Sequence, residues 1–391
     1  MRYKHWMPWL GTILLVAGVA LMLIGGLRLG SRWQAALQGT PTPEPLVPTR
    51  TPGPVSPLPT PGSDAHPALI SPLPVPAAPG WTVPPAERSR LCVSLPDGMQ
   101  TGSLEALGVG WTMDWKAQPS LDLPAGVRYV RMARMKEGEL LPDARALRAL
   151  AAANPGSMWL ISNEPDVRWQ DNVEPDVYAQ LYHEAYTAIK DGDPTAIVAA
   201  GGIAQPTPLR LRYLDMVLEA YSARYERSLP AEAWQIHNYM LREERDSWGV
   251  DIPPGLPDAA GELYTIEDSA NLDIFRANLE AFRLWQSRRG YGALPLYVTE
   301  FGIPMPADYG FPPERVSAFL GETWRYFLTA ADPALGDPND GGRLVQGWCW
   351  FSLACPQYPT GDLVDVQTGE WTPLGQMWLA YVSPEKERDG R

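Results

Sequence analysis

Two short stretches of this 391-residue chain share an unusual ending. In "WLISNEPD", residues 159–166, an apolar run drives straight into Asn163, Glu164, Pro165 and Asp166. In "YVTEFGIP", residues 297–304, a second apolar run meets Glu300 and is stopped by Gly302 and Pro304. Two carboxylates brought together in a partly desolvated place push their pKa values apart, so that one stays ionised and the other stays protonated. A nucleophile and an acid of this kind are what cleavage of a glycosidic bond requires. A strand-end carboxylate capping the next helix is the ordinary reading of either glutamate alone, and the matched pair weighs against it.

Other chemistry-bearing residues sit near the ends of further apolar runs. "QIHNY", residues 235–239, puts His237 and Tyr239 on one face of an extended segment, with a satisfied core histidine as the plain alternative. "YVRMAR", residues 129–134, carries Arg131 and Arg134 in an otherwise apolar strand. An arginine beside Glu300 would keep it ionised, and a rim ion pair is the alternative for either cation. Trp115 and Trp169 follow two of the runs and are candidate sugar-stacking residues.

The elements that must position these residues follow from the pattern. Strand candidates are residues 91–95, 108–115, 128–134, 158–163, 196–202, 233–239, 296–301 and 345–351, eight in all. Helical patterns lie between them at 142–154, 176–192 and 272–290. Eight strands alternating with helices predict a (β/α)8 TIM barrel, an α/β fold whose strand C-termini face one bowl. A doubly wound open sheet is the competitor, but "LCVSLPDG" lacks its Gly-rich first turn. Glu164 then follows the fourth strand and Glu300 ends the seventh, across the barrel mouth.

Asn163-Glu164-Pro165 and Thr299-Glu300-Phe301-Gly302 resemble the acid/base and nucleophile motifs of the clan A glycoside hydrolases. The run from Asn163 to Gly202 resembles family 39. "GVGWTMDW", "NEPD", "IHNY" and "VTEFG" together are similar to the catalytic-core family that includes the family 128 β-1,3-glucanases. The resemblance covers about residues 89–384. It implies retaining hydrolysis, with Glu164 as general acid/base, Glu300 as nucleophile and Asn163 on the sugar 2-OH. It further implies that Tyr239 holds the nucleophile, that His237 lines the sugar site, and that an aromatic platform ends the last strand. Trp348 and Trp350 share a face there, and core packing competes more for Trp348, so Trp350 is the candidate. The long acidic loop 241–270 would wall the cleft. Ser162 departs from the aromatic residue many clan members carry before the Asn-Glu-Pro motif.

Composition sets the remaining bounds. The formal net charge of -13 argues against nucleic acid or an anionic membrane face as partner. There are 16 Trp and 16 Tyr against 7 Phe, side chains with a flat apolar face and a polar handle, which suit a carbohydrate partner. Residues 6–27 are uncharged and, at about 1.5 Å per residue, long enough to cross a bilayer. They predict a signal-anchor within residues 1–39, with a cleaved or lipid-modified signal as the alternative, a single-pass cell-membrane location and an extracytoplasmic domain. Residues 40–86 are Pro/Thr/Ser-rich and read as a linker. Residues 87–384 are expected to form the hydrolase domain that the resemblance implies, and 385–391 a charged tail. No zinc motif, serine elbow or nucleotide fingerprint appears, so no metal and no cofactor are expected. Cys92 could pair with Cys349, or Cys349 with Cys355. The chain is expected to act as a monomer. The rival readings are a non-catalytic carbohydrate-binding or surface scaffold and a transglycosylase.

Overall fold

The computed structural model describes residues 80–96 and 102–383. Its strands are β1 (Leu91–Ser94), β2 (Trp111–Met113), β3 (Arg128–Tyr129), β4 (Arg131–Ala133), β5 (Met158–Ile161), β6 (Ile197–Ile203), β7 (Ala233–His237), β8 (Leu296–Phe301) and β9 (Gly347–Trp350). They form one parallel sheet in the order β3-β2-β1-β9-β8-β7-β6-β5-β4. β3 pairs with β2 and β4 pairs with β5, and only Val130 separates the two. The two edges of the sheet are thus successive pieces of one chain segment, and the sheet closes as a parallel α/β barrel of the TIM type. Each expected strand is present. The third is split, so the expected fourth and seventh become β5 and β8.

Side chains alternate across a strand, and this sorts the core into two layers. Cys92, Met113, Met132, Leu160, Ala199, Ala233 and Cys349 fill the barrel interior. Val93, Ala133, Trp159, Ile161, Val198, Trp234, Trp348 and Trp350 face outward into the layer under the helices. Burying side chains of this size is worth roughly 1.5–3 kcal/mol each.

Helices α1 (Gly102–Leu107), α2 (Ala144–Ala153), α3 (Pro175–Gly192), α4 (Pro208–Tyr225), α5 (Leu272–Arg288), α6 (Pro313–Thr329) and α7 (Pro373–Val382) cover that layer. The Asp143 carboxylate caps α2 by accepting from the Ala146 N–H at 2.8 Å. α3 buries Tyr178, Leu181, Tyr182, Ala185 and Ile189 along one stripe, the face its spacing marks out. α4, α6 and α7 each start at a proline, whose missing N–H is harmless in a first turn.

Cys92 and Cys349 lie in register on β1 and β9 and are joined by a disulfide. Of the two pairings left open by the sequence, this is the one formed. Cys355 is free and buried.

The apolar run 6–27, the linker as far as residue 79 and the charged tail lie outside the described residues. Among the described residues no helix is long and apolar enough to cross a membrane. The expected single-pass cell-membrane location and membrane partner are thus not borne out by the described structure, and the run that carried them lies outside it. Val83 falls within the stretch expected to be linker, yet it is buried and its N–H donates to Tyr381 O at 2.9 Å.

Candidate active site

The site is built where β2, β5, β7 and β8 end. After β5 the chain turns sharply. Ser162 and Glu164 both adopt left-handed backbone, with φ of 68° and 45°. For residues other than glycine this conformation costs roughly 1–3 kcal/mol each and collects at functional sites. Beneath the turn, the Glu164 N–H donates to Gly202 O at 2.8 Å. Gly202 has φ +81°, and a Cβ there would lie 2.9 Å from Ser162 O, so the close approach needs glycine. Trp115, just past β2, is also left-handed, with φ 59°.

Irregularities aim the other side chains. Strict alternation would put Glu300 on the outward face with Val298. The register of β8 against β9 shifts between Val298 and Phe301, which frees Glu300 toward the mouth while Phe301 keeps to the outer core. A similar shift between β7 and β8 falls at Ile236 and His237.

Three side chains then meet. His237 is fully buried, with Nδ1 2.9 Å from Glu164 Oε1 and Nε2 3.3 Å from Glu300 Oε1. One ligand-type atom from each of Glu164, His237 and Glu300 lies within 4.8 Å of the other two. Trp115 Nε1–H donates to Glu300 Oε1 at 2.6 Å, and the Tyr239 hydroxyl donates to Glu300 Oε2 at 2.9 Å. Burial pushes Glu164 up to about 7; Arg210 and Arg134 oppose the rise and Asp171 adds to it. Burial also raises Glu300, against the pull of His237 and its two hydrogen-bond donors, and Glu164 reinforces the rise. Burial lowers His237, which keeps its imidazole neutral near pH 7. The same trio could ligate a metal ion. The sequence pointed to the convergence of the two glutamates, but not to the three side chains as a ligand set.

A cleft of about 390 Å³ opens over Glu300, lined also by Pro96, Asp114, Trp115, Lys116, Arg134, Asn163, Gln170 and Phe351; Glu164 is not among its lining residues. Asn163 Nδ2 donates to Gln170 Oε1 at 3.3 Å, and its buried Oδ1 finds no partner among the described residues. Glu164, 8% exposed, sits beside Asn163, while His237 and Tyr239 back the two glutamates.

Three expected site residues are placed elsewhere. Arg131 points outward, opposite in phase to Met132. It donates to Ala117 O, Asn154 Oδ1 and Ser157 Oγ, near the start of β5 and away from Glu164. Arg134, in phase with Met132, is the arginine that reaches the cleft. Trp350 also points outward, fully buried, with its Nε1–H on Gly361 O at 2.7 Å and its ring against Phe301. The next residue, Phe351, lines the cleft in its place. Trp169 is 55% exposed under the Arg168 guanidinium and outside the cleft. Loop 241–270 contributes no cleft-lining residue. It is fastened to α4 by buried Arg210, which donates to Glu243 Oε1, Val250 O and Asp251 O.

Asp171, Gln170 and Phe351 were missed. Phe351 could have been found from the inward phase of Cys349 two residues before it.

A parallel α/β barrel with two buried glutamates converging where its strands end has the architecture of a glycoside hydrolase catalytic core. Residues 91–248 match the family model described as glycosyl hydrolase catalytic core, which bears out the resemblance carried by the motifs. Among solved structures, the chain is similar to a GH128 (subgroup II) endo-β-1,3-glucanase from Pseudomonas viridiflava. The TM-score is 0.52 at 20% identity, over 74% of this chain and 96% of that one. It is also similar to a GH128 (subgroup I) endo-β-1,3-glucanase from Amycolatopsis mediterranei in complex with laminaritriose. Here the TM-score is 0.50 at 17% identity, over 75% of this chain and 99% of that one. At these identities the likeness is one of fold. A comparison with curated proteins gives no match.

Proposed function

We propose that the chain is a retaining glycoside hydrolase, its catalytic unit within residues 87–384, that cleaves O-glycosidic bonds of an oligo- or polysaccharide by double displacement. The observation that carries this reading is the closeness of the carboxylates, with an oxygen of each within 4.8 Å of the other. Retaining enzymes hold their carboxyl groups about 5–5.5 Å apart, and inverting ones about 6.5–9.5 Å.

The roles follow from the partners. Glu300 accepts from Trp115 and Tyr239, and an indole N–H can only donate, so this carboxylate is the one held ionised. Glu164, pushed up to about 7, keeps the proton. Glu300 attacks the anomeric carbon while Glu164 passes its proton to the departing oxygen. Glu164, now a carboxylate, takes a proton from water, whose oxygen displaces Glu300. The unpartnered Oδ1 of Asn163 suits the sugar 2-OH.

The test is turnover of β-1,3-glucan oligosaccharides and a wider panel of aryl glycosides, with the product anomer followed by NMR. Retention of configuration is expected, and Glu164→Gln and Glu300→Gln should each lose about 10²–10⁴-fold in rate. Inverted product would refute the double displacement. Binding without turnover would leave a carbohydrate-binding scaffold.

A further inference from the structure

Asn163 and Glu164 project from a turn with two left-handed residues, and something must hold that turn open. Asp171, 1% exposed, lies directly against it. Its Oδ2 accepts from the Met135 N–H at 2.9 Å, the Ser162 hydroxyl at 2.9 Å and the Asn163 N–H at 3.0 Å. Its Oδ1 accepts from Arg134 Nε at 2.7 Å. The loop also closes on itself, with the Asp171 N–H on Asn163 O at 3.3 Å. A buried anion with four donors is well satisfied, and every one of those donors belongs to the turn or to the end of the neighbouring strand. Arg134 continues the chain of contacts into the cleft, where it reaches Gln170 Oε1 at 3.4 Å, the atom that also accepts from Asn163.

We infer that Asp171 is the positioning residue of the acid/base loop: it holds the Ser162–Glu164 turn in its strained form and so aims the Glu164 carboxyl. The inference rests on the hydrolase reading above. Asp171 touches neither reacting carboxylate, so it acts through the backbone that carries Glu164.

A second consequence is electrostatic. The groups that face Glu164 are His237 from β7, Glu300 from β8, Arg210 from α4, Arg134 after β4, Tyr239 after β7, Tyr358 after β9, and Asp166 and Asp171 on its own loop. Removing the Asp171 charge takes away an influence that raises Glu164, and it leaves Arg134, which lowers it, without its counter-ion. Both changes favour the carboxylate.

The experiment compares kcat/KM of wild type and Asp171→Asn on an unactivated oligosaccharide and on the matching 2,4-dinitrophenyl glycoside, whose leaving group needs no acid. On the oligosaccharide, Asp171→Asn should lose about ten- to a hundredfold, and on the dinitrophenyl glycoside no more than about threefold. The alkaline limb of its pH profile should move to lower pH. Ser162→Ala, which removes a single donor, should show the same leaving-group contrast at smaller size, and it decides the matter if Asp171→Asn does not fold. Equal losses on both substrates, or none, overturn the inference while leaving the hydrolase reading intact. A wild type that turns over neither substrate sinks both.

Discussion

Glu164 weakens the fold at the pH where catalysis would use it. Its carboxyl titrates at about 7 against an ordinary value of 4.5, so the native state prefers it protonated. The linked stability is fully present below about pH 4.5 and is lost as pH rises through 7. At 1.36 kcal/mol per pH unit the difference approaches roughly 3 kcal/mol in alkali. Glu164→Gln keeps the size of the side chain and cannot ionise. It should therefore melt higher than wild type at about pH 8.5 and match it at about pH 4, as read by thermal denaturation. A gain of equal size at both pH values would contradict the assignment. Activity should follow the same titration in the wild type. It should fall as pH rises through about 7, where the acid loses its proton, with an acidic limb above 4.5 from the raised Glu300.

At the scale of strands, one residue of phase decides whether an aromatic ring serves the core or the substrate. Trp350 and Phe351 are neighbours on opposite faces at the end of β9. Trp350→Ala should lower stability by about 3–5 kcal/mol, measured by urea denaturation. Phe351→Ala should chiefly raise KM, by a few-fold, with a far smaller stability loss. The reverse pattern would show that the faces had been misassigned. The same phase explains what the sequence could reveal. The barrel was legible because eight short apolar runs recur between helical stretches, and the convergence of Glu164 and Glu300 because both end such runs. The direction of Trp350 was not, since two tryptophans on one face do not say which face. Nor were the register shifts at Ile236 and Val298, which depend on the neighbouring strand. Asp171 was hidden for a related reason: four donors from two separate segments, Arg134–Met135 and Ser162–Asn163, converge on it, and none is close to it in a propensity pattern.

For the whole molecule, the covalent link from β1 to β9 is the long-range staple. It joins residues 257 apart in sequence, and the loop-entropy account assigns such a closure on the order of 5 kcal/mol. Cys92→Ala should show a loss approaching that size in chemical denaturation. KM should be unchanged, because the bridge lies among the interior side chains of the barrel and not in the cleft. A loss no larger than that of an ordinary core truncation would argue that β1 and β9 are held without it.

That link also sets the route by which tension crosses the protein. A pull between β1 and α7 passes through the sulfur bridge from Cys92 to Cys349. Glu164 and Glu300 both sit inside the bypassed ring, so stress on that path is carried around them.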